Sequence, residues 1–90
     1  NIIAFAAYYA NQPPVGFLSI IAIQKESRGK GLFRELLDRI CKELRSNQFQ
    51  FLDLEVSRSN QRAYAAYLTY GFLPYRASEQ INNDVMRIKL

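Results

Sequence analysis

The residues Arg28-Gly29-Lys30-Gly31-Leu32-Phe33 place two glycines among two cations, immediately before a stretch whose apolar residues recur at helical spacing. A turn of this kind binds anions. The first N–H groups of a helix have no intrahelical acceptor, and the helix dipole adds roughly half a positive charge at that end. Arg28 and Lys30 add full charges. A P-loop needs G-x-x-x-x-G-K-[ST], whereas Gly29-Lys30 is followed here by Gly31. The dinucleotide fingerprint fails as well, because Arg34 stands where its third glycine belongs. Taken alone, the turn is equally compatible with a tight connection that holds no ligand. A second feature is the carboxylate pair Asp53 and Glu55. The rest of the chemistry is narrow: the 90 residues include one cysteine, Cys41, and no histidine. Structural zinc, Ser-His-Asp and Cys-His catalysis all drop out, since each needs an imidazole or several thiolates, and no metal site is expected.

These residues must be positioned by elements that the periodicities disclose. Residues 2–9 and 15–23 are rich in aromatic and β-branched types and flank Asn11-Gln12-Pro13-Pro14, which predicts a hairpin. Between Lys30 and Arg45, Phe33, Leu36, Leu37, Ile40, Cys41 and Leu44 form one apolar stripe of a helix. A strand is expected over 49–56, with Leu52, Leu54 and Val56 on one face and Phe51, Asp53 and Glu55 on the other. Asn60 is placed to cap a helix over 61–70 that Gly71 closes, and strands follow near 72–76 and 84–90. The order ββαβαββ predicts an α/β fold with a mixed sheet, in which strands 15–23 and 49–56 run parallel through a crossover. Ninety residues with 49% apolar and 22% charged side chains fit one domain over 1–90. The thin core expected at this length has no disulfide to support it.

Two motifs together resemble the GNAT family of N-acetyltransferases. Arg28-x-x-Gly31 matches the first two fixed positions of the family's R/Q-x-x-G-x-G/A motif, and Phe33 departs from the third. Asn60, Ala63, Tyr67, Gly71 and Phe72 match N-x-x-A-x-x-x-Y-x-x-x-G-F at all five positions. The resemblance runs over essentially the whole chain. It implies the C-terminal two-thirds of the family domain, without the N-terminal strand and helices that wall the acceptor site. A start at Asn1 in an apolar stretch fits the expectation that part of a longer protein is missing.

The resemblance also implies a chemistry, with acetyl-CoA as acetyl donor. Its pantetheine arm would lie between two splayed strands and bond the backbone near Ile21 and Ile23. Its pyrophosphate would sit on the turn formed by Arg28, Gly29, Lys30, Gly31, Leu32 and Phe33, and Asn60 joins the cofactor-binding set. An N–H near Ile23 would polarise the thioester carbonyl. Tyr67 matches the tyrosine assigned as general acid to the leaving thiolate, and Glu55 matches the general base of relatives that acetylate a protein N-terminus. An ordinary tyrosine would pass its proton uphill to a thiolate by about 1.5 pKa units, so hydrogen-bond stabilisation is the easier role. An ordinary carboxylate is mismatched with an α-ammonium by roughly 3.5 units, so the base role calls for a raised pKa or an intervening water. Asp53 reads as a solvated structural carboxylate and Cys41 as a small buried hydrophobe.

The implied activity is transfer of acetyl to a primary amine, small-molecule or peptide, by direct attack on the thioester. A CoA-binding or interaction module with the same fold and no productive acceptor site stays open beside it, as does a homodimer. The formal charge of +4 suits a polyanionic donor. Signs alternate along the first helix with no basic stripe, so no nucleic acid is expected. No run approaches the roughly 20 apolar residues of a membrane span, and the cytoplasm is the default expectation.

Overall fold

The elements follow from where apolar periodicity stops and where the backbone can turn. The computed structural model describes residues 3–11 and 13–90; the Ile2 end of the first expected strand, and Gln12, lie outside them. Along the chain run β1 (Ala4–Tyr9), β2 (Val15–Ile23), a 3-10 turn (Lys25–Ser27), α1 (Leu32–Ser46), β3 (Phe51–Ser57), α2 (Gln61–Tyr70), β4 (Leu73–Ala77) and β5 (Asn83–Lys89). The expected order is observed, with one five-stranded sheet in the spatial order β1-β2-β3-β5-β4. Among the described residues β2 and β3 are the parallel neighbours; the other pairs are antiparallel.

Both helices cover the face that carries Leu52, Leu54 and Val56. Leu37, Ile40, Cys41 and Leu44 of α1 join those three residues, Leu18, Phe72 and Met86 in one buried core, and Ala63, Tyr64, Tyr67 and Tyr70 of α2 pack against it. The two helices are also joined directly, since the Tyr70 hydroxyl donates to Asp38 at 2.6 Å. The predicted stripe of α1 is thus the buried one, but the helix starts at Leu32 rather than Lys30 because Gly31 takes a left-handed conformation that no helical residue adopts. Gly71 closes α2 as expected, at φ 132°, while Phe72 N–H reaches back to the Tyr67 carbonyl.

The opposite face holds a correction. Asp53 is buried, not solvated: Arg87 grips it with two hydrogen bonds, Nε to Oδ1 at 2.7 Å and Nη2 to Oδ2 at 3.0 Å. The register that opposes Asp53 to Arg87 on β5 makes the pair. The same guanidinium lies over the Tyr75 and Phe51 rings, at 3.8 and 4.7 Å from their centroids.

The acidic side of the stability profile should be set partly by Asp84 at the start of β5. Tyr64 donates to its Oδ2 at 2.8 Å and Arg58 to its Oδ1 at 2.9 Å, and these bonds hold its carboxyl below the ordinary value of 3.8. A carboxyl lowered in the native state stabilises it fully above the unfolded value and loses that contribution as pH falls through the native one. Asp84→Asn is therefore expected to lower the urea midpoint at about pH 6, with the gap to the parent closing as pH falls below the unfolded carboxyl value. A gap independent of pH would remove the linkage.

Candidate functional site

The site begins where β2 and β3 part. Their pairing covers Val15↔Phe51, Gly16↔Leu52, Phe17↔Asp53 and Leu18↔Leu54 and goes no further, although β2 continues to Ile23 and β3 to Ser57. The cause lies on the other side of β2. The β1–β2 register shifts between Ala7 and Tyr8, which oppose Ile20 and Leu18, so Ser19 is an extra residue at the point of departure. Such a bulge bends and twists its strand.

The alternation of an antiparallel ladder then fixes which way the freed groups face. Gln24 N–H bonds the Ile3 carbonyl at 2.7 Å, so the groups of Gln24 and Ala22 point to β1 and those of Ile21 and Ile23 point into the gap. The Ile23 carbonyl accepts from Arg28 Nε at 3.2 Å, so Arg28 ties the end of β2 to the glycine turn.

In that turn Gly29 and Gly31 have φ of 81° and 79°, and a Cβ at either would meet nothing within 4 Å. The first helical bond of α1 runs from Glu35 N–H to the Gly31 carbonyl at 3.0 Å, and no side chain of the described residues caps this end. The N–H groups of Leu32, Phe33 and Arg34 are left without intrahelical acceptors, beside the exposed Lys30. A groove of about 390 Å³ continues from here between α1 and α2, bounded by Phe33, Arg34, Arg62 and Tyr70. Arg62 has no signal in the sequence, because only the packing of the helices brings it beside Arg34.

Tyr67 and Glu55 lie on opposite faces of the sheet. The Tyr67 ring packs between Phe33 and Phe72, each at 5.7 Å between centroids, and burial pushes its phenol above the ordinary value of 10.0. Its hydroxyl has no hydrogen-bond partner among the described residues, and it stays neutral. Glu55 is the first residue of β3 beyond the last pair with β2, half-buried on the face away from the helices. Asn83 Nδ2 donates to its Oε2 at 2.7 Å. Asn60 takes the capping part of its expectation: its Oδ1 accepts from Ala63 N–H at 3.2 Å. The side-chain amide N–H groups of Asn60 have no partner among the described residues.

Comparison with known proteins gives this arrangement a context. The sequence model of the Acetyltransferase (GNAT) family matches residues 1–72. The ribosomal-protein-S18-alanine N-acetyltransferase from Escherichia coli is 27% identical with a TM-score of 0.80, over 97% of this chain and 61% of that one. A PaiA N-acetyltransferase from Thermoplasma acidophilum, solved in complex with coenzyme A, is 21% identical with a TM-score of 0.85, over 98% of this chain and 54% of its own. A GNAT family acetyltransferase from Elizabethkingia anophelis, with acetyl-CoA bound, is 15% identical with a TM-score of 0.85, over 100% and 70%. This chain thus spans just over half to about two-thirds of the length of these structures. No curated protein matches it.

The turn makes its own prediction. With nothing near a Cβ at Gly31, the cost of Gly31→Ala is that of the left-handed backbone alone, about 1–2 kcal/mol. Chemical denaturation should read that loss, and a variant as stable as the parent would show that the turn relaxes without strain.

Proposed function

We propose that this chain, which belongs to the GNAT acetyltransferase family, carries the donor site and the proton-transfer groups of an acetyl-CoA-dependent N-acetyltransferase. The observation that carries the reading is the gap beyond Leu18 and Leu54, edged by backbone groups that point into it. When bound, acetyl-CoA supplies the activated acetyl group as a thioester. The residues present fit it. The N–H and C=O groups of Ile21 can bond an amide chain as a further strand would, and the Ile23 N–H can polarise a carbonyl oxygen on which negative charge develops. The turn from Arg28 to Phe33 offers uncapped amides and two cations to a pyrophosphate. Arg34 and Arg62 extend the positive charge along the groove between the helices.

The reacting amine would approach from the face of Glu55. Glu55 accepts its proton, directly or through a water, and Tyr67 serves the leaving sulfur from the other face. With its phenol raised by burial, Tyr67 donates a hydrogen bond to a thiolate more readily than it gives up its proton. Direct attack is favoured over an acyl-enzyme, because Cys41 is buried in the core on α1 and burial pushes its thiol up. For the acceptor, the α-amine of a peptide is the class to test first, supported by the likeness to an enzyme that acetylates a ribosomal protein and by the lower basicity of α-amines relative to lysine.

Two measurements test the reading. Isothermal titration of the full-length protein with acetyl-CoA should give micromolar binding, and Gly31→Glu, which adds a side chain and a negative charge to the turn, should abolish it. Binding unaffected by that change would move the phosphate site elsewhere. With a peptide that has a free N-terminal alanine, Glu55→Gln should lower kcat by about 100-fold while acetyl-CoA binding is retained. An unchanged rate across about pH 6–9 would remove Glu55 from proton transfer.

A further inference from the structure

Glu55 is the only acidic residue on β3 besides Asp53, and the two are held in contrasting ways. Arg87 neutralises Asp53, whereas the group on Glu55 is a neutral amide. Glu55 is therefore held in place with no salt bridge among the described residues.

The fixing residue is reached across the β3–β5 ladder. Glu55 opposes Val85 and Ser57 opposes Asn83, so Asn83 is the diagonal neighbour of Glu55 on the same face. Its orientation is determined by its partners. Nδ2 lies 2.7 Å from Glu55 Oε2 and 3.4 Å from Gln80 Oε1, both acceptors, and a flipped amide would set its oxygen against the carboxylate. The backbone beneath is tied on both sides. Asn83 N–H bonds the Gln80 carbonyl at 3.2 Å, the Asn83 carbonyl accepts from Ser78 N–H at 2.9 Å, and Asn82 before it turns through φ 66°. Oε2 accepts that bond, and Oε1 has no hydrogen-bond partner among the described residues.

We infer that Asn83 is a positioning residue for the reaction: its side-chain amide holds the Glu55 carboxylate at the mouth of the β2–β3 gap so that one oxygen faces the acceptor. The inference rests on Glu55 as the proton acceptor and assigns the β4–β5 hairpin a part in the chemistry. Rotamer freedom is what the bond removes. A glutamate without it samples several staggered arrangements, and a misplaced base loses rate without any loss of donor binding.

The test is a double-mutant cycle in the full-length protein, read as kcat with saturating acetyl-CoA and two acceptors, a peptide with a free N-terminal alanine and an N-blocked peptide containing lysine. Asn83→Ala is expected to lower kcat by about tenfold with KM for acetyl-CoA unchanged. In the Glu55→Gln background the same substitution should change kcat by less than about twofold, because an effect exerted through Glu55 has nothing left to act on. Asn83→Leu, close in size and without donor or charge, should follow the same pattern and guards against a hairpin that fails to form. Equal losses in both backgrounds would make the contact purely structural and overturn the positioning role. A wild-type rate for Glu55→Gln would instead overturn the base role and, with it, the positioning role of Asn83.

Discussion

Everything at the site depends on two parallel strands that stop sharing hydrogen bonds after four residue pairs. A sheet interior does not normally tolerate such an opening, since each freed N–H and C=O needs a partner. Here each strand is anchored on its far side. β2 is carried by β1 from Phe17 to Ile23, and β3 by β5 along its whole length, Phe51↔Lys89 to Ser57↔Asn83. The bulge at Ser19 turns one half away from the other without breaking either. Arg28 satisfies the Ile23 carbonyl from the far end. What remains unpaired is a short row of backbone groups, and these suit a ligand that is itself made of amides.

The sheet also divides the work between its faces. The helix face buries nearly all the aliphatic core, and its aromatic residues Phe33, Tyr67, Phe72 and Tyr70 form a continuous series from the glycine turn to the α1–α2 contact. The other face is polar at its centre and carries Asp53, Arg87, Glu55 and Asn83. Breaking the Asp53–Arg87 pair would strand the partner charge. Arg87 is thus committed to Asp53, and Glu55 two residues on is left to a neutral partner. The opening between β2 and β3 lies between these two faces, next to Glu55 on one of them.

Local signals were legible in the sequence because they need no tertiary information. The stripe of α1, the Asn60 cap, the Gly71 stop and the alternation of β3 are each written within a few residues, and the motifs around Arg28 and Tyr67 pointed to the family that the sequence comparison establishes. The misreadings are those that depend on register. Alternation placed Asp53 and Glu55 on one face but said nothing of what stands opposite, so Asp53 was expected in solvent when Arg87 covers it. Asn83 lies 28 positions from Glu55, and the contact exists only because the hairpin of β4 and β5 sets that diagonal. A one-residue slip would put Asp84 in its place on that face.

Phe33 is where the sequence departs from the family motif, and the structure indicates why the departure is compatible with the turn. A large side chain at a phosphate turn would obstruct it if it pointed outward. The Phe33 ring instead lies against Tyr67, while the backbone N–H of the same residue belongs to the uncapped first turn of α1. Side chain and amide point to different tasks, and the turn keeps the groups that an anion would use. The glycines that precede it take the left-handed angles, with open space around both. The demand for a small residue is therefore met at Gly29 and Gly31, where the backbone itself must turn, and relaxed at Phe33, where the helix has already begun.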